Sequence, residues 1–178
     1  NRSFVFGLSA LLASEVAEIS INSYFINYVT GQGWMEPATA STVLTVGLGL
    51  FMLARFIGAA VMSNVPAEKY LLICAVGTVA CIAVLLLDLG RNISMAALMM
   101  NYFFEAIMFP TIFALTLRGL GGLTKSASSI LMMTPVGGCG FLLMGYAADH
   151  AGNFVLPFFI PLVGYAIVMA YAWSTVKK

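Results

Sequence analysis

Residues 3–30 read SFVFGLSALLASEVAEISINSYFINYVT, an apolar run with no basic residue in it. Crossing a hydrocarbon core of about 30 Å takes about 20 helical residues, so the run is long enough to span a membrane. Yet Glu15 and Glu18 fall near its middle. At a bilayer centre an acidic residue costs about 2.5–3.5 kcal/mol on insertion scales. The stretch therefore poses two questions at once: what kind of chain contains it, and what repays its acids.

Composition answers the first. Of 178 residues, 61% are hydrophobic and 8% charged, and the mean hydropathy is +1.00. Soluble domains carry about 25% charged residues. No soluble core of this size hides so much apolar surface, so the class is integral membrane protein. The net charge of +1 gives no footing for nucleic acid. Cys74, Cys81 and Cys139 have no ligand or redox spacing and read as small packing residues, so neither metal nor cofactor is expected. The opening segment is too long and too polar for a cleaved signal. The chain starts at Asn1 without a methionine, and a piece of a longer protein is expected.

Apolar runs bounded by charges and turn residues fall at 3–30, 38–63, 68–88, 93–118, 125–148 and 154–175. Six antiparallel spans joined by short loops make one all-α unit over residues 1–178, with no linker. Arg2, Lys69, Arg118, Lys125, Lys177 and Lys178 lie at the ends and even-numbered loops, whereas the opposite face has Arg91 with Glu36, Asp88, Asp149 and His150. The positive-inside rule then predicts both termini to be cytoplasmic, with Trp34 and Tyr28 at the outer interface and Trp173 and Tyr171 at the inner one.

The second question turns on four charges inside spans: Glu15, Glu18, Arg55 and Glu105. Glu15, Glu18 and Asn22 share one face of the first helix by their i, i+3, i+7 spacing. Asn101, Tyr102, Glu105 and Phe109 share a face of the fourth, where a carboxylate and an amide stand among aromatic rings. That mixture suits a sugar, with hydroxyls in the ring plane and C–H groups above it. Such faces meet other helices or a water-filled cavity. A structural account is also open: a buried glutamate hydrogen-bonds a neighbouring helix or pairs with Arg55. One arginine neutralises at most one or two of three carboxylates, so the rest are hydrated or protonated. A carboxyl that gains and loses a proton as water access changes is what a proton-coupled carrier needs. Arg55 lies toward the cytoplasmic end of its helix and is expected to snorkel or to tether a loop. Pro110 and Pro135 remove backbone hydrogen bonds inside their helices and predict kinks. Gly47, Gly49, Gly58, Gly137, Gly138, Gly140 and Gly145 permit close helix approach.

The stretch 107–125, IMFPTIFALTLRGLGGLTK, followed by SASSILMMTPVGG and GYAADHAGN, closely resembles the second half of the fucose permease family. These are sugar–proton symporters of the major facilitator superfamily. EISINSYFINY is similar to that family's seventh helix, and ARFIGAAVMSNVPAEKYL to its eighth helix and following loop. The resemblance runs from about residue 15 to 153 in the right order. It implies a twelve-helix transporter in the plasma membrane, of which this chain is the C-terminal half, helices seven to twelve. The partner would be an N-terminal six-helix half that carries most of the proton-carrying acids. The first and fourth helices of each half would line a central cavity. Glu18 matches a position that is usually Glu or Gln in the family, and Asn27 and Tyr28 match the polar end of that helix. Glu105 stands where many relatives have a neutral residue, Glu15 is an additional acid, and Cys139 replaces a third glycine of a G-G-G run. NSYFINYVTGQGWM looks like a fungal branch.

The resemblance thus implies a sugar carrier coupled to a proton. Glu18, Asn22, Asn101, Tyr102, Glu105 and Phe109 would face the solute, and Glu18, Glu105 and Glu15 would serve the proton. Arg55, Pro110, Gly137 and Gly138 would serve structure or gating. An intramembrane enzyme would need a nucleophile with a base or a metal constellation. The single histidine, His150, lies at the rim beside Asp149, and neither H-x-x-x-H nor G-x-S-x-G occurs. A membrane sensor that moves nothing, or a carrier of another solute class on the same fold, stays open. Nothing resembles the filter loop of a channel.

Overall fold

A computed structural model describes residues 2–177, with Gly137 described only by its place in a helix. Asn1, Lys178 and any bend at Gly137 itself lie outside the described residues. Six stretches are helical and apolar enough to cross a membrane, each end within four residues of the sequence expectation. The first three are single helices: α1 (Arg2–Gly31), α2 (Pro37–Val61) and α3 (Ala67–Leu86). The fourth is broken into α4 (Arg91–Glu105) and α5 (Met108–Leu117). In the fifth, α6 (Thr124–Leu131) and α7 (Phe141–Ala151) flank a 3-10 segment, Thr134–Gly140. The sixth opens with a 3-10 turn and continues as α8 (Phe159–Val176).

Local signals set the helix limits. Pro37 opens α2 behind an extended Glu36, where a missing N–H costs nothing. Gly152 closes α7 in the left-handed conformation (φ +60°) and donates its N–H to the Ala148 carbonyl. Six spans with short loops place the two chain ends at one end of the bundle. There the Arg118 guanidinium donates to the Glu68 carboxylate, tying the start of α3 to the residue after α5.

Within the bundle α1 is the hub. It packs against α8, α5, α2, α7 and the 3-10 segment of the fifth span, while α3 packs on α4 and α8. Small residues make the closest approaches possible. A Cβ on Gly164 of α8 would lie 2.8 Å from the Ala13 carbonyl of α1, and one on Gly47 of α2 would lie 2.8 Å from the Tyr102 ring of α4. The outer surface is lipid-like: Val46, Met52, Leu53 and Phe56 of α2 and Leu142 and Leu143 of α7 are exposed.

Both interior prolines act on the backbone as their chemistry requires. Pro110 has no N–H for the carbonyl four residues back, Ala106, and its ring crowds that carbonyl. The helix breaks there, at Ala106 and Ile107. The freed Ala106 oxygen accepts from Arg55 Nε at 3.0 Å, and Ala106 itself is fully buried. Arg55 thus bonds a span rather than a loop. It satisfies a carbonyl in the neighbouring span, with its guanidinium 4.8 Å over the Phe51 ring. Pro135 likewise frees the Leu131 carbonyl, which the Thr134 hydroxyl takes at 2.7 Å.

The pairing predicts a compensating double variant. Arg55→Ala strands a buried acceptor and is expected to cost about 1 kcal/mol. Pro110→Ala restores an N–H facing the same carbonyl. The double variant should therefore unfold at a higher denaturant concentration than Arg55→Ala alone. Strictly additive losses in detergent-micelle unfolding would show that Arg55 does not serve the break.

Candidate functional site

The four in-span charges converge on the region where α1, α2 and the broken fourth span meet. Glu15 is 9% exposed, and Glu18 and Asn22 on the same face of α1 are partly exposed. Glu18 lies within electrostatic reach of both Glu15 and Arg55, and Glu105 within reach of Glu18. The three carboxylates and the arginine thus form one electrostatic group although they come from three different spans.

Their bonding is unequal. Glu105 is 1% exposed, and its Oε2 accepts from the Asn101 amide at 2.7 Å and from the Tyr165 hydroxyl at 2.5 Å. The Asn101 amide also reaches the Tyr165 oxygen at 3.4 Å. Asn101 and Tyr165 are both fully buried, so this network bridges α4 and α8 inside the bundle. The i, i+4 spacing does put Asn101 and Glu105 on one face, but both residues are buried and Tyr165 of α8 reaches them there. Tyr102 is buried as well, with its ring against Gly47 and 6.5 Å from Phe25. Phe109, past the break, is partly exposed and stacks on Phe113 at 6.1 Å.

Glu18 is the contrast. Among the described residues it makes no hydrogen bond or ion pair, and the same holds for Glu15. Among the described residues Asn22 Oδ1 is buried without a partner, as are Glu105 Oε1, Asn101 Oδ1 and the Tyr102 hydroxyl. Gly138 packs beside α1, where an added Cβ would meet Ile19 at 3.2 Å. A buried carboxylate oxygen or amide without a partner is costly. Among the described residues no group of three or more His, Cys, Asp or Glu has metal-binding spacing.

Sequence reasoning missed Tyr165. It lies 60 positions from Glu105, in a span read only as apolar, and no local pattern links the two. It also passed over a cavity of about 540 Å³ at the end of the bundle that holds the termini, lined in part by Arg2, Glu68, Arg118 and Tyr171.

No family model matches the chain. It is similar to a glucose/galactose transporter of Brucella abortus, 33% identical over 174 residues, which is 96% of this chain and 42% of that protein. It is 31% identical over 159 residues to an L-fucose-proton symporter of Escherichia coli, covering 88% of this chain and 36% of the symporter. The crystal structure of the major facilitator superfamily transporter FucP in the outward conformation superposes with a TM-score of 0.91 at 29% identity, over 97% of this chain and 42% of that one. A peptide transporter, 15% identical, superposes at 0.85 and shares the fold alone. The chain spans less than half the length of these relatives. Its fold is the six-helix C-terminal half of the major facilitator superfamily fold, in an integral, multi-pass membrane protein. Both of these curated relatives are bacterial and give no support to a fungal branch.

The buried network yields a stability prediction. Tyr165→Phe keeps the ring but removes the donor from a buried carboxylate, which is expected to cost about 1–3 kcal/mol. The unfolding midpoint should fall with the helical circular-dichroism signal of the folded protein unchanged. A midpoint equal to that of the parent would mean the hydroxyl holds nothing.

Proposed function

We propose that this chain forms the C-terminal wall of a secondary active transporter. It would move a small polar solute, a hexose such as fucose, galactose or glucose, together with a proton by alternating access. The observation that carries the reading is Glu18: a mid-span carboxylate, partly exposed, with no bonded partner among the described residues and in electrostatic reach of Arg55 and Glu105. An acid placed so in a membrane marks an ion or solute pathway. Similarity to named glucose/galactose and fucose–proton carriers supports the same solute class.

In this reading Glu18 and Asn22 touch the solute or the proton, and Glu15 adds negative potential one turn away. Glu105, held by Tyr165 and Asn101, stands behind that wall with Tyr102 and takes part in proton coupling through its field on Glu18. Phe109 and Phe113 offer ring surface beside the break. Pro110, Arg55 and Gly138 give the wall its shape. The rest of the cavity would come from an N-terminal six-helix half, with both ends of this segment cytoplasmic and the host membrane the plasma membrane. The proton is the coupling ion, and no bound cofactor is required.

The decisive experiment is uptake of labelled hexoses by the full-length protein in proteoliposomes, with and without an inward proton gradient. One sugar should accumulate faster with the gradient. Glu18→Gln should lower gradient-driven uptake at least tenfold while the protein still inserts and folds. Unchanged uptake in that variant removes Glu18 from the site, and failure to move any hexose removes the sugar.

A further inference from the structure

The cavity of about 540 Å³ at the end of the bundle that holds the termini is framed by the starts of α1 and α3 and the ends of α5 and α8. It has two kinds of wall. Phe4, Phe6, Leu115 and Leu120 give it an apolar side, and Arg2 and Arg118 set two guanidinium groups beside that side. Glu18, Asn22 and Glu105 do not line it, so it is separate from the acidic group described above.

The donors left in its wall are cationic. The Thr116 and Tyr171 hydroxyls bond each other at 3.1 Å, while Ser174 donates to the Tyr171 carbonyl and Thr175 to the Ala172 carbonyl, each at 2.7 Å. These hydroxyls are spent, which disfavours a sugar. Among the described residues Arg2 makes no ion pair, and Arg118 spends one nitrogen on Glu68. A guanidinium carries five N–H donors in a planar fork that matches a phosphate. Most of those ten donors are therefore free to meet an anion.

Place and charge narrow the anion. Arg2, Lys69, Arg118, Lys125 and Lys177 stand at this end against Glu68 as the one acid among the described residues. Lys177 lies 5.0 Å over the Trp173 ring on α8, one residue before Ser174. Tryptophan beside a basic residue marks the depth of the lipid headgroups, so the cavity opens where a phospholipid carries its phosphate.

We propose that this cavity binds an anionic phospholipid from the adjoining leaflet. Arg2 and Arg118 hold the phosphate, Glu68 keeps Arg118 in place, and the glycerol and first acyl carbons lie on Phe4, Phe6, Leu115 and Leu120. Basic pockets between spans bind anionic headgroups in this way. A free phosphate ion would leave the apolar wall uncovered, and this selects the lipid over a soluble anion. The site does not depend on which solute is carried, or on whether one is. Its leaflet is the cytoplasmic one in the orientation proposed above.

The test is native mass spectrometry of the full-length protein, titrated in detergent with phosphatidylglycerol, phosphatidylcholine and inorganic phosphate. Phosphatidylglycerol should bind at least tenfold more tightly than phosphatidylcholine. Arg2→Gln breaks no ion pair among the described residues and should weaken phosphatidylglycerol about fivefold, with phosphatidylcholine unchanged. Arg118→Gln should do the same; it also strands Glu68, so Arg2→Gln carries the test should that variant fold poorly. Lys125→Gln removes the same charge from the same end without touching the cavity, and should change binding less than about twofold. Equal losses in Arg2→Gln and Lys125→Gln overturn the proposal, because they mean diffuse attraction to the whole end. So does phosphatidylglycerol that binds no better than phosphatidylcholine. Inorganic phosphate that binds as tightly as the lipid also overturns it, in favour of a soluble anion.

Discussion

In hydrocarbon no water is at hand for a backbone polar group, so every carbonyl that a helix releases must be taken up inside the protein. That demand shapes this unit more than any other. Two prolines release two carbonyls, and each is met by a particular side chain: Ala106 by Arg55 from the neighbouring span, Leu131 by Thr134 beside it. The first solution crosses between helices and the second stays local. Arg55 is thus committed to shape before it is available to any acid, and this explains why a lone arginine among three carboxylates forms no ion pair with them among the described residues.

The acids divide the remaining work by burial. Glu105 is buried and has its Oε2 bound by two donors, one from α4 and one from α8, so it makes a firm joint between two spans. Glu18 makes no hydrogen bond or ion pair among the described residues and keeps partial access to solvent. One carboxylate is anchored and the other is not, although the two lie within electrostatic reach of each other. Glu15 lies one helical turn from Glu18 and adds to the same field.

Much of the architecture was legible in the chain because lipid imposes a simple rule. A run of about 20 apolar residues bounded by charges is a span, and all six follow it, with the break in the fourth where Pro110 demanded one. Side-chain partners were another matter. The spacing of Asn101 and Glu105 gave their common face correctly, but periodicity does not say which helix covers a face, and Tyr165 covers this one from the sixth span. For the same reason Arg55 looked like a residue for a loop: its partner is a backbone oxygen, invisible to any reading of side-chain types. Asp149 read as a rim charge, and only the fold sets it beside Tyr24 and Asn27 of α1.

The 3-10 winding of Thr134–Gly140 gives the fifth span a mechanical character of its own. That geometry rises about 2.0 Å per residue with three residues per turn, against about 1.5 Å and 3.6 for an α-helix. Rewinding these seven residues as α-helix would shorten the span by about 3.5 Å and turn α7 by about 140° about its own axis. Asp149, Gly145 and Tyr146 ride on α7. The segment is a screw thread between two rigid rods, and rewinding it turns these residues away from α1.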